Sequence, residues 1–565
     1  MAPPFELVTE RLGPLPIVNH FLERLELERL LEQCIAPTDA RCTLRPAKAL
    51  GVLVRSIVVE REPIYRHYDT VSTFCPAAFA LTGNQADLLR DDQLGRALDR
   101  LFQVDRGTLL TQIVVAATGK FGVRLDELHN DSTTVKFTGQ YRMAKGRSLR
   151  GKRAPWITFG FSKDHRPDLR QLLFVMTTSA DGGLPVQFRC GDGSTNDSVT
   201  HIETWEALRV AMGRADFLYV ADSKLCSYEN LHHIDQHGGR LVTVLPRSRL
   251  EDGWMRKWVQ TEEPAWELVW DRPNPRRKHA PRDRWFVYRY PMPSREGWPI
   301  IWVWSTLLAR RQKQSRTERL AAAVEALAQL DGRLQGPRPR LRSRLEIAQR
   351  IDQIIRRFKV ARYLHGEIWR EEVQRFRQEH RGRPGPKTRY RREIKYRPRV
   401  RWTIDQAAVQ YDEKSDGMYP LLTNDETLTP AQVLAAHKRQ PGIEKRFQQL
   451  KDVHAIAPVF LKNEGRIEAF FFLYFIALLV QALIEREIRR GMQNGGVHHL
   501  SIYPEHRACK RPTAEQVLRL FSRAERHVLR DGERVIQIFE PRLTDIQNQV
   551  LELLGMSERA YRTAP

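Results

Sequence analysis

The sequence predicts an α+β protein of several domains, and three observations support this prediction. The first 119 residues have apolar spacings typical of helices. From Leu125 onward the pattern changes to short runs rich in β-branched residues, which is typical of strands. A chain of 565 residues is also long enough for several hydrophobic cores. We therefore expect an all-α N-terminal domain, a core in which helices cover a mixed sheet, and a helical C-terminal tail.

The chain is strongly basic, with a formal net charge of +24 and a pI near 10.0. Such a charge favours a polyanionic partner, with nucleic acid ahead of an anionic membrane. The excess is concentrated between Arg310 and Arg401, where 28 Lys and Arg stand against 10 Asp and Glu. We therefore expect the basic character to form one located surface.

The cysteines indicate a reducing compartment. The six of them show no C-x-x-C pairing and no zinc-finger spacing, so we interpret them as free thiols in the cytoplasm. No charged segment followed by an apolar one opens the sequence, which argues against secretion. The longest apolar run, Ala469 to Ile484, is short for a membrane span and is interpreted as a buried core helix.

Residues 1–119 form the first predicted domain. Helices are expected around Phe21–Leu31, from Arg45 and from Asp91. A helical domain of mixed charge ahead of a catalytic core suits sequence-specific DNA binding, for example of helix-turn-helix type. A helical scaffold without DNA contact is an equally good interpretation, because no recognition helix stands out in the sequence.

Residues 120–246 carry a particular order of strands and helices. Strands are predicted at Leu128–Phe137, Leu172–Thr178, Leu184–Phe188, Phe217–Asp222 and Arg240–Leu245, and helices at Ile202–Met212 and Tyr228–His237. Three strands, a helix, a strand, a helix and a strand is the order of an RNase H-like fold with a mixed five-stranded sheet. In that fold the first and fourth strands each deliver an acid, and a later helix brings a third. Asp131 and Asp222 occupy the two strand positions.

A helix in residues 428–490, the second part of this core, is predicted to supply the third acid. Ile443, Phe447 and Leu450 recur at helical spacing and predict a buried stripe. A second, polar stripe lies beside it and contains Gln440, Glu444, Gln448 and Lys451. A carboxylate that faces DNA phosphates needs a cation nearby, and Lys451 can supply that charge two turns after Glu444. Considered alone, the same spacing also fits an ordinary amphipathic helix with a solvated face.

Residues 247–427 are interpreted as a long insertion between the two parts of the core. The first part, to Trp304, has the pattern of added strands and holds eight of the twelve Trp. Two long helical stretches follow, Arg316–Leu334 and Ser343–Glu379, and are predicted to form an antiparallel helical hairpin. A role of this hairpin in dimerisation is compatible with the same pattern.

A basic loop rich in Pro and Gly follows at Arg381–Arg392, and we expect it to be flexible without a partner. A charge run is usually a solvated face, but this one is almost single-signed and is interleaved with Tyr390 and Tyr396. We therefore interpret it as a DNA-binding segment that tracks phosphates. The residues concerned are Arg381, Arg383, Lys387, Arg389, Arg391 and Arg392. Residues 491–565 complete the chain as a helical region, with a capping box that starts at Thr513.

Motifs along nearly the whole chain resemble those of DDE transposases of the insertion-sequence-4 superfamily. The spacing from Glu444 to Lys451 matches the end of that superfamily's Y-x2-R-x3-E-x6-K hallmark. Gly160–Leu169 is close to the G-x-S-K-D-H-R-P-D-L signature of the insertion-sequence-1634-type subgroup, and Asp131-Ser132-Thr133 matches its D-x-T. Residues 91–99, 220–222, 502–505 and 510–513 resemble further segments of the same subgroup.

Two positions depart from the hallmark of the superfamily. His437 stands where the hallmark has Tyr, and Gln440 stands where it has Arg. A phosphate contact assigned to that Arg therefore does not transfer to Gln440. Arg439 and Arg446 are the neighbouring residues that offer a replacement.

The resemblance implies a transposase that binds the terminal inverted repeats of its own mobile element, cuts there and joins the ends to target DNA. It implies two Mg²⁺ ions, replaceable by Mn²⁺, held by Asp131, Asp222 and Glu444, and a role for Lys451 at the phosphates beside the cut. It also implies a homodimer, double-stranded DNA as the partner, a hairpin at the element end, no membrane, and a place at the bacterial nucleoid in the cytoplasm.

Further DNA contacts are expected from polar side chains inside these motifs: Lys163, His165, Arg166, Gln440 and Gln448. Two other functions stay open at this point. One is a DNA-binding protein of the same fold without catalysis, against which the presence of all three acids speaks. The other is an RNase H-like nuclease that cleaves DNA without joining the ends to a second DNA.

Overall fold

The structure is a computed structural model. It describes the chain apart from residues 1–4, 36–43, 61, 143, 274–279, 337–340, 342, 458 and 563–565, and apart from the side chains at 83, 84 and 506. The chain divides into two units: the first comprises Met1–Thr243, Thr423–Asp425 and Ala435–Pro565, and the second comprises Val244–Leu422 and Glu426–Leu434. The second unit takes in most of the predicted insertion.

The N-terminal part of the first unit is mainly helical. After strand β1 (Glu6–Arg11) come α1 (Leu15–Arg24), α2 (Leu27–Cys34), α3 (Pro46–Val59), α4 (His67–Ser72), α5 (Asp91–Gln103) and α6 (Arg106–Phe121). Local chemistry explains where these helices begin and end. Pro46 lies in the first turn of α3, where a missing N–H leaves no hydrogen bond unmade. Asp105 caps α6 by accepting the N–H groups of Gly107 and Thr108, and Gly122 ends it in the left-handed conformation.

Five strands form a mixed sheet in the first unit. Elements in this part are β2 (Glu127–Phe137), the short strands β3 (Ser148–Leu149) and β4 (Lys152–Arg153), β5 (Arg170–Ser179), β6 (Pro185–Gly191), α7 (His201–Met212), β7 (Leu218–Ala221), α8 (Tyr228–Gln236) and β8 (Arg240–Val244). The strand order is β6-β5-β2-β7-β8. β5 runs antiparallel to β2 and β6, whereas β7 runs parallel to β2 and β8. The predicted sequence of strands and helices is therefore confirmed.

The second unit contains an antiparallel sheet and a long ribbon. Its elements are α9 (Leu250–Trp258), β9 (Glu267–Arg272), β10 (Asp283–Arg289), β11 (Ile300–Ser305), α10 (Thr306–Leu334), α11 (Arg344–Arg357), β12 (Leu364–Gln378), β13 (Tyr390–Ile404), α12 (Gln406–Glu413) and β14 (Met418–Thr423). Antiparallel pairing joins β9 to β10, β10 to β11 and β11 to β14. The added strands predicted before Trp304 are thus confirmed.

The predicted helical hairpin is wrong in its second half. The helix that was expected over Ser343–Glu379 ends at Arg357, and Lys359 follows in the left-handed conformation with φ of 54°. Beyond it, β12 and β13 pair antiparallel along 15 residues each. Leu364 and Val400 are buried in one apolar cluster with residues of α10 and α11, so alternate positions at the base of the ribbon face a core. Charged residues around those positions obscure the alternation of apolar and polar residues that would have predicted strands from the sequence.

The basic loop is also corrected in its form. Tyr390 to Arg392 already belong to β13, so the predicted loop is the tip of the β12–β13 ribbon. All six of its Lys and Arg side chains are exposed, and Arg392 alone among them forms an ion pair with a described residue, Glu372 at 3.9 Å. The tip therefore presents positive charge from a hydrogen-bonded ribbon.

The C-terminal part of the chain continues with α13 (Pro430–His437), α14 (Pro441–Gln448), a π-helical turn at Gln449–Val453, α15 (Glu464–Asn494), α16 (Ala514–Leu520), β15 (Glu525–Asp531), β16 (Arg534–Phe539) and α17 (Asp545–Leu553). The capping box predicted at Thr513 is confirmed, because its side chain accepts the N–H of Gln516. By length and composition α15 is long and apolar enough to cross a membrane, but its apolar window is almost entirely buried in the structure. It packs against α3, α5 and β6, as the core helix predicted from Ala469–Ile484.

Strands at both ends correct the all-α N-terminal domain and the helical C-terminal tail. β1 pairs antiparallel with β15 from Glu6 opposite Arg530 to Arg11 opposite Glu525, and β15 pairs with β16. A strand that pairs with residues more than 500 positions away carries no local signal beyond six residues of mixed polarity. That distance explains why the sequence pattern alone missed this sheet.

Candidate active site

Asp131 and Asp222 lie side by side on neighbouring parallel strands. The register of β2 and β7 pairs Asn130 with Ala221; Asp131 is the next residue of β2, and Asp222 directly follows the last residue of β7. Neighbouring strands are about 4.8 Å apart, so the two acids leave the sheet at adjacent positions. The Asp131 carboxylate accepts the N–H of Ser132 at 2.7 Å, and the Asp222 carboxylate accepts the N–H of Lys224 at 2.9 Å. Asp222 is exposed.

The surroundings of Asp131 disfavour its negative charge. Burial raises the pKa of Asp131 to about 6, and the nearby charges of Asp222 and Asp197 act in the same direction. The positive charge of Lys163 and the N–H of Ser132 oppose this rise. A carboxylate in this position is stabilised by any cation that binds beside it.

Lys163 supplies a cation inside the protein. Its ammonium donates to the carbonyl and hydroxyl oxygens of Ser132 at 2.7 and 2.8 Å and to the Asp197 carboxylate at 2.9 Å, and its nitrogen lies 3.6 Å from Oδ1 of Asp131. Burial alone would lower the pKa of Lys163, but the charges of Asp131 and Asp197 outweigh burial and raise it. Lys163 was expected on DNA, and its donors are engaged within the chain. Asp197 was missed from the sequence, because nothing in its spacing links it to Asp131.

Glu444 is carried on the helix that the sequence predicted. Ile443, Phe447 and Leu450 are buried, whereas Glu444 is exposed at the first turn of α14. The helix packs against β2 and β5, and the Phe447 ring meets that of Phe174 edge to face. The Glu444 carboxylate forms no hydrogen bond or ion pair with a described residue.

The start of α14 is fastened to the strand that carries Asp131. The Gln440 amide donates to the carbonyl of Asn130 at 3.0 Å, and its oxygen lies 2.9 Å from Nδ1 of His129. Nε2 of His129 lies 2.8 Å from the Glu127 carboxylate, which also pairs with Arg439. The amide that was predicted to contact DNA thus joins α14 to β2, and a DNA contact of Gln440 stays a prediction.

The middle of α14 is fastened to the buried helix α15. The Glu485 carboxylate is fully buried and pairs with Arg446 at 2.7 Å and with Lys445 and Arg489. Arg446 also donates to the carbonyl oxygens of Gly182 and Gly183. Arg446 is therefore engaged in the core and is not available for the phosphate contact that was considered for it.

Lys451 lies in the π-helical turn after α14 and pairs with an acid of the signature segment. Its ammonium is 2.7 Å from Asp164, which also pairs with Lys136 at 3.4 Å. Burial opposes the ionisation of Asp164, but these two lysines lower its pKa. Asp164 is thus charge-balanced by lysines.

The other predicted DNA contacts near this site lie at the surface. His165, Arg166 and Gln448 are exposed. The Arg166 guanidinium donates twice to Asp168, at 2.7 and 2.8 Å, and the preceding residue His165 is in the left-handed conformation with φ of 57°. Their positions are compatible with DNA contact, which remains a prediction for all three.

The donor set fits hard divalent cations. Asp131, Asp222 and Glu444 offer only carboxylate oxygens, which are the ligands that Mg²⁺ and Mn²⁺ prefer. Asp222 and Glu444 are exposed and form no ion pair with a described residue, so their charge is open to a cation from solution.

A second group with metal-ligand residue types does not need an ion. Glu206, His233 and His237 bring their ligand atoms within 4.8 Å of one another. His233 already lies 2.8 Å from the Glu206 carboxylate, and Arg209 donates to the other oxygen of that carboxylate. The ion pair between Glu206 on α7 and His233 on α8 accounts for this group without a metal ion.

Comparisons with known proteins give limited similarity. Residues 7–115 match the family described as Domain of unknown function (DUF4277), a domain found in transposase-like proteins. No curated protein matches the chain. A solved structure titled "Cryo-EM structure of piggyBac transposase synaptic complex with hairpin DNA (SNHP)" matches at 8% sequence identity and a TM-score of 0.25, covering 81% of this chain and 80% of that chain. A TM-score this low does not establish a shared fold. The family match covers the N-terminal helices and none of the candidate acids.

Replacing Glu127 by Gln tests the fastening of α14 to β2. Burial disfavours the charge of Glu127, but His129 and Arg439 outweigh burial and lower the pKa to about 2. A lowered pKa stabilises the fold above the unfolded value near 4.5, and this contribution is lost as pH falls through about 2. We expect Glu127→Gln to lower the free energy of unfolding by roughly 1–3 kcal/mol at pH 7, with the difference shrinking below pH 4. Urea unfolding of the variant and the wild type at several pH values measures this difference in free energy of unfolding.

Asp126→Asn is the matched control for this change. Asp126 is the neighbouring acid, is exposed, and pairs with Arg214 at the surface. Because surface pairs are weak, this control should change the free energy of unfolding by less than about 1 kcal/mol at any pH. A loss for Glu127→Gln that stayed constant from pH 7 to pH 3 would contradict the assigned role of its charge.

Proposed function

We propose that this chain is a DDE-type transposase that cleaves DNA with divalent metal ions and joins the cleaved end to a second DNA. One observation carries the proposal. Asp131 and Asp222 leave adjacent parallel strands at neighbouring positions, and the helix with Glu444 is hydrogen-bonded to the same strand through Gln440. The family match of residues 7–115 to a domain of transposase-like proteins supports it independently of these acids.

The finer assignment of fold and subgroup is part of the same proposal. An RNase H-like core is supported by the strand order β6-β5-β2-β7-β8, in which the first strand of the core is central and is parallel only to β7. Membership of the insertion-sequence-4 superfamily, of the insertion-sequence-1634 type, rests on the sequence motifs. The Glu444–Lys451 spacing and the Gly160–Leu169 signature are the most specific of these.

In this proposal the three acids hold two Mg²⁺ ions, for which Mn²⁺ can substitute. Bound divalent ions would activate the attacking oxygen and stabilise the leaving oxygen of an in-line displacement at phosphorus. Asp131 and Asp222 contribute oxygens from the sheet, and Glu444 contributes oxygens from α14. Lys451, held by Asp164, would offset phosphate charge beside the cut.

Double-stranded DNA, both element ends and target, is the proposed partner. The basic tip of the β12–β13 ribbon offers six exposed cationic side chains for phosphates. His165, Arg166 and Gln448 are proposed as further contacts. A homodimer in the bacterial cytoplasm, at the nucleoid, completes the proposal.

Removing any one acid should abolish cleavage while DNA binding is retained. We expect Asp131→Ala, Asp222→Ala and Glu444→Ala each to slow nicking by at least about 100-fold, because even groups that only orient metal ligands contribute 10–100-fold. DNA affinity should be equal or higher, since a negative charge is gone. Mn²⁺ should replace Mg²⁺, whereas Ca²⁺ should support DNA binding without turnover.

The assay uses labelled DNA that carries the sequences flanking the reading frame, with each variant at matched DNA occupancy. Asp216→Asn is the control, because Asp216 is an exposed acid of the same unit that pairs with Arg214 at the surface. Nicking by Asp222→Ala or Glu444→Ala at a rate near that of the wild type would refute the metal site. Transfer of the labelled end to a second DNA separates a transposase from a nuclease without joining.

Lys451→Ala should slow cleavage without loss of folding or of DNA binding. Loss of one charged contact beside a reacting phosphate is expected to lower the rate roughly 10-fold or more. Single-turnover cleavage and thermal melting are measured together, with Lys462→Ala as a control, since Lys462 is an exposed lysine in the same unit. A lower melting temperature with an unchanged rate would make Lys451 a structural partner of Asp164 only.

Neutralising the basic tip should weaken binding to all DNA sequences alike. We expect Arg383, Lys387 and Arg389 changed together to Gln to lower the slope of log affinity against log salt by about one unit per lost phosphate contact. Arg344, Arg350 and Arg357 changed to Gln form a matched control, because they are exposed on α11 in the same unit. An unchanged salt slope for the tip variant, measured by fluorescence anisotropy, would leave the tip as solvated surface.

A further inference from the structure

All three N–H donors of the Lys163 ammonium have an acceptor. Two donate to Ser132, to its carbonyl at 2.7 Å and its hydroxyl at 2.8 Å, and the third donates to Asp197 at 2.9 Å. An ammonium has only three donors. No N–H donor is left for Asp131, although its Oδ1 lies only 3.6 Å from the Lys163 nitrogen. The positive charge therefore stands beside Asp131 without being bonded to it.

The third of these acceptors comes from outside the sheet. Asp197 is the first residue of a short turn at Asp197–Thr200 that leads into α7, and Asn196 caps that turn. Its side chain is about four-fifths buried, with 19% exposed, and Lys163 is its ion-pair partner among the described residues. Neither Lys163 nor Asp197 has a role in the proposed chemistry.

A free ammonium at this distance would compete with a divalent cation. Opposite charges within about 4 Å attract strongly in a partly buried site, so an unanchored Lys163 would turn toward Asp131. A lysine that donates to Asp131 occupies the oxygens that a metal ion needs. The contacts with Ser132 and Asp197 prevent this by holding the ammonium in place.

We propose that Asp197 is a positioning residue that anchors Lys163 away from Asp131 and so keeps the Asp131 carboxylate open to divalent metal. Asp197 acts through Lys163 and is not itself a metal ligand. This inference rests on the proposed function, because it requires that Asp131 and Asp222 bind metal. It assigns a role to an acid that no motif of the sequence singles out.

Two substitutions at Asp197 separate its role as a hydrogen-bond acceptor for Lys163 from its negative charge. Asp197→Asn removes the charge but keeps an oxygen that accepts from Lys163, whereas Asp197→Ala removes both. If anchoring matters, the Ala variant frees Lys163 to bind Asp131 and loses more metal affinity than the Asn variant. In a Lys163→Met background no ammonium is present, so the two variants should then behave alike.

The experiment measures Mn²⁺ affinity of the full chain without DNA, by the loss of the electron paramagnetic resonance signal of free Mn²⁺. We expect Asp197→Ala to weaken binding about 10-fold and Asp197→Asn about 3-fold or less, because only the first releases the competing charge. Lys163→Met should bind Mn²⁺ more tightly than the wild type. In that background, Asp197→Ala and Asp197→Asn should agree within about 2-fold.

Three results would overturn the inference. If Asp197→Ala lost the same Mn²⁺ affinity in the wild-type and Lys163→Met backgrounds, Asp197 would be a metal ligand or a simple source of negative charge. Equal losses for the Ala and Asn variants in the presence of Lys163 would exclude anchoring. Weaker binding by Lys163→Met would exclude competition. If the wild type bound no Mn²⁺, or if Asp222→Asn removed none of the Mn²⁺ that the wild type binds, the proposed metal site itself would be refuted. Urea unfolding without metal confirms that each variant is folded.

Discussion

The fully buried carboxylate of Glu485 is the constraint on which the geometry of the candidate site depends. It lies on α15, a largely buried helix of the first unit, and pairs with Arg446 and Lys445 of α14. A buried ion pair adds little net stability, but removing one partner costs about 3–5 kcal/mol because the remaining charge is left without a counter-ion. The helix with Glu444 is therefore held on the core by a contact in which replacing Glu485 with a neutral residue leaves the buried Arg446 without its counter-ion.

This contact works together with the hydrogen bonds at both ends of α14. Gln440 fastens its start to the strand of Asp131, and Lys451 connects the following π-helical turn to Asp164. An exposed carboxylate on a helix of only about two turns would otherwise be poorly placed, since α14 has only eight residues. Three fastenings on a short helix give Glu444 the fixed placement that metal ligation requires. The departure of Gln440 from the superfamily hallmark thus coincides with a structural use of its amide.

Parts of this arrangement were predictable from the sequence, and the reasons are physical. The strands with Asp131 and Asp222 and the buried stripe of Ile443, Phe447 and Leu450 carry their own periodicity, so local patterns sufficed. The order of elements in the core followed from the same patterns. The positions of the acids followed because each comes at a fixed place relative to its strand or helix.

What the sequence did not predict depends on contacts between distant residues. The β1–β15 pairing and the β12–β13 ribbon form because partners far along the chain complete them, and the charges on the ribbon mimic a helical face. The Lys163–Asp197 contact joins side chains 34 positions apart in different local structures. The glutamate on α15 that holds Arg446 belongs to a helix whose pattern predicted only burial. No spacing rule links such pairs before the fold is known.

Anomalous X-ray scattering can show whether Asp131, Asp222 and Glu444 together bind divalent metal. Crystals of the full chain soaked in Mn²⁺ and measured near the manganese absorption edge locate the ion without any assumption about DNA or catalysis. We expect anomalous density between the carboxylates of Asp131 and Asp222, with a Glu444 oxygen among the ligands at about 2.1 Å. Strong density elsewhere on the chain, with none between these carboxylates, would contradict it.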